Sequence, residues 1–316
     1  MLKKMGILRG VNLGGWLSQC DYSAKRLNEF IRAEDFARIA SWGLDHVRIP
    51  VDYNVLEEEQ GGYDAPGWER LDFALAESEA NGLKVVLDLH KTAGFSFDKG
   101  EMETGFFTDA AYQERFCRLW EEIARRYGHL SERVVFELLN EVTSPDFIGT
   151  WNRVAADAIR RIRVYAPNTL ILVGSYHNNA AHAVKELDAP LDDRVLYNFH
   201  CYDPLHYTHQ GAPWVDVLDQ SARVAYVESG ADAAYFEAQF ASAIEAAERN
   251  HTTLYCGEYG VIDVVPTADA LEWFKAIHAV FDKHGIARAV WSYRQMDFGV
   301  SDERWDCLRD ELLKYL

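Results

Sequence analysis

The sequence predicts an α/β fold, a single (β/α)8 TIM barrel over residues 1–316, with a moderate loop insertion at 203–230 after the sixth strand. Three observations lead there. Short β-branched runs alternate with longer amphipathic ones along the whole chain, a pattern that implies parallel strands buried on both faces. Eight such units average about 40 residues each, which suits a barrel of roughly 250 residues plus loop insertions. No linker rich in Pro, Ser or Gly divides the chain. A doubly wound open sheet is the rival architecture. It is disfavoured because no GxGxxG follows the first strand, no GxxxxGK[ST] occurs, and Gly10-Val11-Asn12-Leu13-Gly14-Gly15 has the wrong spacing for a dinucleotide loop.

The expected strands are Ile7–Val11, His46–Val51, Lys84–His90, Val134–Leu139, Leu170–Val173, Val195–His200, Thr253–Gly257 and Ala289–Ser292. Between them, helical periodicity places helices near Ala33–Trp42, Trp68–Ala80, Ala111–Tyr127, Thr150–Tyr165, Ala231–Arg249, Ala268–His284 and Asp302–Leu316, with a shorter one near Ala180–Leu187. Gly43, Asn81-Gly82 and Gly285 supply left-handed stops before strands two, three and eight.

Composition narrows the function classes. Lys and Arg total 32 against 50 Asp and Glu, a net charge of −18. A surface of that sign lacks the basic footprint of a nucleic-acid reader and is repelled by anionic membranes. No window approaches the ~18–20 apolar residues of a membrane span. Arg9, Gly10 and Asn12 interrupt any signal-peptide core, so a cytoplasmic or non-classically released protein is expected, with no obligate protein partner evident. The five cysteines are odd in number, widely spaced and free of CxxC pairs, which fits buried reduced thiols. Most of the 9 Trp, 16 Tyr and 16 Phe are expected in the core, and the surplus of Trp also suits sugar stacking.

A parallel barrel collects its chemistry at the C-terminal ends of its strands. Polar residues fall there repeatedly: Arg48 on strand two, Asp88 and His90 on three, Glu137, Asn140 and Glu141 on four, His200 and Tyr202 on six, Glu258 on seven and Trp291 on eight. Interior polar groups are costly unless paired, so their shared placement argues for a common site. Glu141 and Glu258 lead the set, because cleaving a glycosidic bond takes a proton for the leaving oxygen and a nucleophile or activated water at the anomeric carbon. Glu258 reads as the nucleophile, kept ionised by Arg48 and the Tyr202 hydroxyl. Glu141 reads as the acid/base, holding a proton near neutral pH. Asn140 donates to a sugar hydroxyl, and Trp291 offers an apolar face to a pyranose ring. Glu137 and Asp88 are left as structural partners. Taken singly, each residue has a plainer role: a helix cap for either glutamate, an ion pair for Arg48, a hydrogen-bonded core histidine for His90 or His200, core packing for Trp291. No HExxH, HxH or Cys/His ligand spacing is present, so neither a metal nor another cofactor is expected.

Together these residues resemble glycoside hydrolase family 5, from Gly10-Val11-Asn12-Leu13-Gly14-Gly15-Trp16 through Trp291. The resemblance implies a barrel with acid/base on strand four and nucleophile on strand seven. It carries functional roles onto Arg48, His90, Asn140, Glu141, His200, Tyr202, Glu258 and Trp291. It implies a retaining endo-β-glucanase acting on β-1,4-glucans and mixed-linkage β-1,3-1,4-glucans by double displacement, with a β-glucan polysaccharide or oligosaccharide as partner. The same residues would serve β-1,3-glucan, mannan or xyloglucan, since linkage choice lies in the loops. The segment 203–230 is shorter than the subdomain the resemblance implies there. Within it, Tyr207, His209 and Trp214 form an aromatic loop, with Trp214 either a sugar-stacking wall or an anchor of the loop to the barrel. Trp16, Tyr22, His177 and Asn178 are weaker subsite candidates.

Overall fold

The computed structural model describes residues 1–59, 61–98 and 104–316. Eight parallel strands close into a barrel in sequence order: β1 (Arg9–Asn12), β2 (His46–Asp52), β3 (Lys84–Lys91), β4 (Val134–Glu137), β5 (Ile171–Val173), β6 (Val195–Cys201), β7 (Leu254–Tyr259) and β8 (Ala287–Val290). Closure is made by β1, which pairs with β2 on one side and β8 on the other. Around it run α1 (Ala33–Ser41), α2 (Ala65–Ala80), α3 (Ala110–Tyr127), α4 (Ile148–Tyr165), α5 (Ala233–Arg249) and α6 (Thr267–His284). The unit after β5 has a single turn at Tyr176–Asn179 and a 3-10 helix, Ala181–Glu186, where a full helix would otherwise stand.

The expected strands and main helices lie within a few residues of the observed ones, with two corrections. The expected final helix Asp302–Leu316 is reduced to a 3-10 turn at Glu303–Trp305 and one short helix at Arg309–Leu312. Its backbone turns instead in i→i+3 steps (Trp305 N–H to Asp302, Leu308 N–H to Trp305, Tyr315 N–H to Leu312), Arg309 also donates to the Asp302 carbonyl, and the end of the segment is anchored by Arg9 on Leu313 and Leu316 and by Arg288 Nη2 on Leu316 at 2.9 Å. The second correction concerns the thiols. All five cysteines are free and Cys117, Cys201 and Cys256 are buried, but Cys20 is partly exposed and Cys307 exposed.

Strand alternation sorts the core into two layers. Val86, Val135, Leu172, Leu196, Tyr255 and Ala289 face inward and pack with Leu2 and Ile7 as an apolar floor. Their neighbours, among them Val47, Leu87, Phe136, Ile171, Phe199 and Cys256, face outward into the larger core beneath the helices. Two residues on from the floor positions, the same inward period delivers Asp88, Glu137 and Asn198 to the next layer up. The barrel interior therefore changes from apolar to polar along its axis, toward the strands' C-terminal ends.

Most tryptophans serve this scaffold. Trp120 of α3 donates its indole N–H to the Leu138 carbonyl just past β4 (3.0 Å), Trp151 of α4 to Gly174 past β5 (2.8 Å), and Trp273 of α6 to Asp203 past β6 (2.9 Å). Each bond satisfies a carbonyl where the ladder ends and fixes the exit of a strand. Trp16, an expected subsite candidate, is also core: it is buried, donates to the Leu27 carbonyl and meets Phe73 edge-on. Replacing Trp120 by Phe keeps most of the volume but strands the Leu138 carbonyl. The expected cost is about 1–3 kcal/mol, read as a lower urea midpoint at unchanged slope. A midpoint equal to wild type would mean the indole donor is dispensable.

Candidate active site

Arg48 lies at the centre of the polar layer and is fully buried. Its Nε and Nη2 grip both oxygens of Glu137 at 2.7 Å each. Nη1 donates to Asn12 Oδ1 and to Glu258 Oε1, both at 2.8 Å. Nη2 also donates to Asn140 Oδ1 at 2.7 Å and lies 3.0 Å from Asp88 Oδ2. Burial opposes its charge, but Asp88, Glu137 and Glu258 together hold it well above the ordinary guanidinium range. Glu137 and Asp88 are thus the barrel-interior partners of Arg48, and burial pushes both carboxyls upward despite it. Asn198 completes the layer, donating to Glu137 Oε1 at 2.6 Å and accepting from the Gly257 N–H at 3.0 Å.

Glu258 owes its direction to an irregularity in the sheet. Phe199 pairs with Cys256, yet His200 pairs with Glu258, so Gly257 is the extra residue of a bulge. Strict alternation from the inward Tyr255 would have turned Glu258 outward. A Cβ on Gly257 would come within 2.9 Å of Asn198 Oδ1 and His200 Nε2, which is why glycine stands there. The carboxylate then receives Arg48 on Oε1 and the Tyr202 hydroxyl on Oε2, the latter at 2.9 Å. Burial, then the nearby Glu258, pushes the Tyr202 phenol well up, keeping it a donor.

Glu141 stands in different surroundings. His200 Nδ1 is 2.9 Å from its Oε1, and Asn178 Nδ2 donates to its Oε2 at 2.7 Å. Burial raises its pKa to about 7, against the Asn178 hydrogen bond and the more distant Arg48. The His200 ring, lowered to about 4 by burial, is neutral at pH 7. Asn178 reaches Glu141 from an unusual backbone: His177, Asn178 and Asn179 have φ of 52°, 53° and 61°. Such a conformation costs about 1–2 kcal/mol for an ordinary L residue and less for Asn. Asn179 holds the turn by accepting the Ser175 N–H at 2.9 Å, and the Asn178 N–H bonds the Val142 carbonyl at 3.0 Å.

A cleft of about 980 Å³ opens over these groups, lined by His90, Glu141, His200, Tyr202, Glu258 and Trp291 among others. Arg48 and Asn140 lie beneath it. The His90 and Trp291 rings stack at 5.7 Å with planes 2° apart, and His90 Nδ1 is 2.6 Å from Asp88 Oδ2. Trp214 is on the rim, 40% exposed, edge-on to His209, which in turn meets Tyr202 edge-on. Of the weaker candidates, His177 and Asn178 line the cleft, whereas Tyr22 bonds Asp52 and borders a separate depression. Tyr207 is fully buried, packed edge-on against Tyr226, and anchors the loop. Sequence reasoning passed over Asn12, Asn198 and the Gly257 bulge. Asn12 lies in the quoted Gly10–Trp16 motif; the other two carry no local signal.

Among the described residues, one group has three ligand atoms close enough to hold a metal: Glu141, His200 and Glu258, within 4.8 Å of one another. All four of their carboxylate oxygens already have partners, and the Arg48 cation adjoins Glu258. A donor set so engaged fits proton transfer better than cation binding.

Two carboxylates facing one cleft at the C-terminal rim of a parallel barrel define a glycoside hydrolase. Comparison with known proteins gives the family: residues 9–297 match the model for cellulase (glycosyl hydrolase family 5), and the chain belongs to that family. It is 57% identical over 288 residues to Cellodextrinase A of Ruminococcus flavefaciens, covering 91% of this chain and 86% of that one. It is 31% identical to Endoglucanase C of Acetivibrio thermocellus, with 97% of each chain covered. Cel5A of Thermotoga maritima, solved with cellobiose, superposes with a TM-score of 0.84 at 25% identity, covering 98% of this chain and 99% of that one.

Arg48→Met tests the polar layer. Removing the cation leaves Glu137 and Asp88 buried without compensation, and a loss of about 3–5 kcal/mol in urea unfolding is expected. A variant as stable as wild type would mean that the layer does not depend on Arg48.

Proposed function

We propose that the chain hydrolyses β-1,4-glucosidic bonds in cellulose-type glucans, cellodextrins and mixed-linkage β-1,3-1,4-glucans, with retention of anomeric configuration. The observation that carries the mechanism is the approach of Glu141 and Glu258 oxygens to within 4.8 Å. Carboxyl pairs about 5–5.5 Å apart leave no room for an intervening water and act by double displacement, whereas inverting pairs stand about 6.5–9.5 Å apart. In the first step a Glu258 oxygen attacks the anomeric carbon, the glycosidic C–O bond breaks, and the departing oxygen takes the proton of Glu141. In the second, Glu141 removes a proton from water, the water oxygen bonds the anomeric carbon, and Glu258 leaves. Arg48, Tyr202 and Asn140 hold the floor of the site, His90, His200 and Trp291 its walls, and Trp214 a sugar-stacking rim.

The substrate class is supported by the names of the relatives, a cellodextrinase and an endoglucanase, and by a cellobiose complex of the structural neighbour. Glu258→Ala should abolish turnover and keep the fold, and a 2-deoxy-2-fluoro cellobioside should label wild type at Glu258. Labelling of another residue would overturn the assignment. Since Glu141 must be protonated to act as acid and its pKa is raised to about 7, kcat/KM should be highest below that value. It should fall tenfold per pH unit above it, and an alkaline limb near pH 4.5 would refute Glu141 as the acid. Initial rates on cello-oligosaccharides, barley β-glucan, laminarin, xyloglucan and mannan, measured together, decide the glycan. A preference for any of the last three would replace the β-1,4-glucan reading.

A further inference from the structure

The turn after β5 does more than line the cleft. Among the described residues its side chain Asn178 is the one neutral amide on the Glu141 carboxyl, and it touches the oxygen that His200 leaves uncovered. The backbone presenting it is fixed from two sides: the Asn178 N–H bonds Val142 of the β4 loop, and Ala180 bridges to His200 of β6. Three consecutive left-handed residues are retained to make this turn, and the Asn179 carbonyl oxygen ties its base to Ser175. An arrangement pinned to both elements that flank Glu141 holds that carboxyl in one plane.

We propose that Asn178 is a positioning residue for the acid/base, clamping Glu141 Oε2 while His200 holds Oε1, so that one carboxyl geometry serves both half-reactions. This rests on the proposed role of Glu141. The amide N–H favours the charged carboxyl and so works against burial. Glu141 must give its proton in the first step and regain one from water in the second, and the amide keeps the charged form within reach. Other groups also face Glu141: Arg48 from β2, Asp98 from the loop after β3, His200 and Tyr202 from β6 and its exit, Glu258 from β7, and His177 on the same turn. Among the described residues none of these donates to Oε2, so removing the amide changes one contact and leaves the rest.

The test uses Asn178→Gly, which suits a left-handed backbone, and Asn178→Asp, which tolerates it and cannot donate when ionised. Both are assayed against pH on cellotetraose and on 2,4-dinitrophenyl β-cellobioside, whose leaving group needs no proton. In Asn178→Gly, kcat/KM on cellotetraose at pH 7 should change and its alkaline limb should move to higher pH. Asn178→Asp should move that limb further, since a second carboxylate disfavours charge on Glu141. Loss on cellotetraose at the acid optimum should be roughly tenfold, the size of one hydrogen bond to a charged group, with kcat/KM on the activated substrate nearly unchanged. Equal losses on both substrates, or an alkaline limb at the wild-type position, would overturn the proposal. Glu141→Ala, run alongside, separates the two readings. If it too spares neither substrate preferentially, the acid/base assignment has failed; if it spares the activated one and Asn178→Gly does not, only the role of Asn178 falls.

Discussion

One buried guanidinium organises the site. From β2, Arg48 reaches Asn12 on β1, Asp88 on β3, Glu137 and Asn140 on and beyond β4, and Glu258 on β7. Taking such a cation out of water is costly, and only near-complete pairing offsets it. The pairing in turn obliges three carboxyl groups to face the barrel axis at one level. With three acids around one cation, burial raises Asp88 and Glu137 against the pull of Arg48. His90 then sits on Asp88 and Trp291 stacks on His90, so the wall of the cleft inherits its position from the same ion.

The sequence made the barrel readable because alternation and length are both one-dimensional properties. Apolar strands announce parallel pairing, and polar residues at His46–Pro50, Lys84–His90 and Val195–Tyr202 fall at strand exits whatever the detailed register. What remained illegible depends on register or on distant partners. Glu258 faces the cleft only because Gly257 bulges, and a bulge has no composition of its own. Asp88 and Glu137 look like ordinary alternating positions until Arg48 is seen between them. The terminal segment has helical periodicity, yet it turns in i→i+3 steps and its end is anchored on Arg9 and Arg288, distant in the chain. Asn178 was visible as a residue but not as a contact of Glu141, because three left-handed residues in a row cannot be read from His-Asn-Asn.

The aromatic surplus divides along the same line. Trp120, Trp151 and Trp273 spend their indole N–H on strand-exit carbonyls, and Trp16 and Trp68 on carbonyls of the short helices Ala24–Glu29 and Tyr53–Leu56. Only Trp214 and Trp291 line the cleft. A count of tryptophans therefore says more about how the strand ends are held than about sugar stacking. The two functions meet at β6, where the Trp273 indole holds the Asp203 carbonyl and Thr208 donates to that of Tyr202, next to the phenol on Glu258.

Glu141 and Glu258 are chemically alike and less than 5 Å apart at their nearest ligand atoms, 4.8 Å at most, so a difference in role has to come from surroundings. Glu258 has a cation and a phenol, both donors that suit the proposed nucleophile. Glu141 has a neutral imidazole and a neutral amide, and burial outweighs them. The division follows Arg48, which donates to Glu258 on β7 and, at the end of β4, to Glu137 and Asn140, acting on Glu141 only from a distance. On the proposed mechanism, the reaction's direction across the cleft follows from which strand carries Arg48 and from which oxygen its Nη1 can reach.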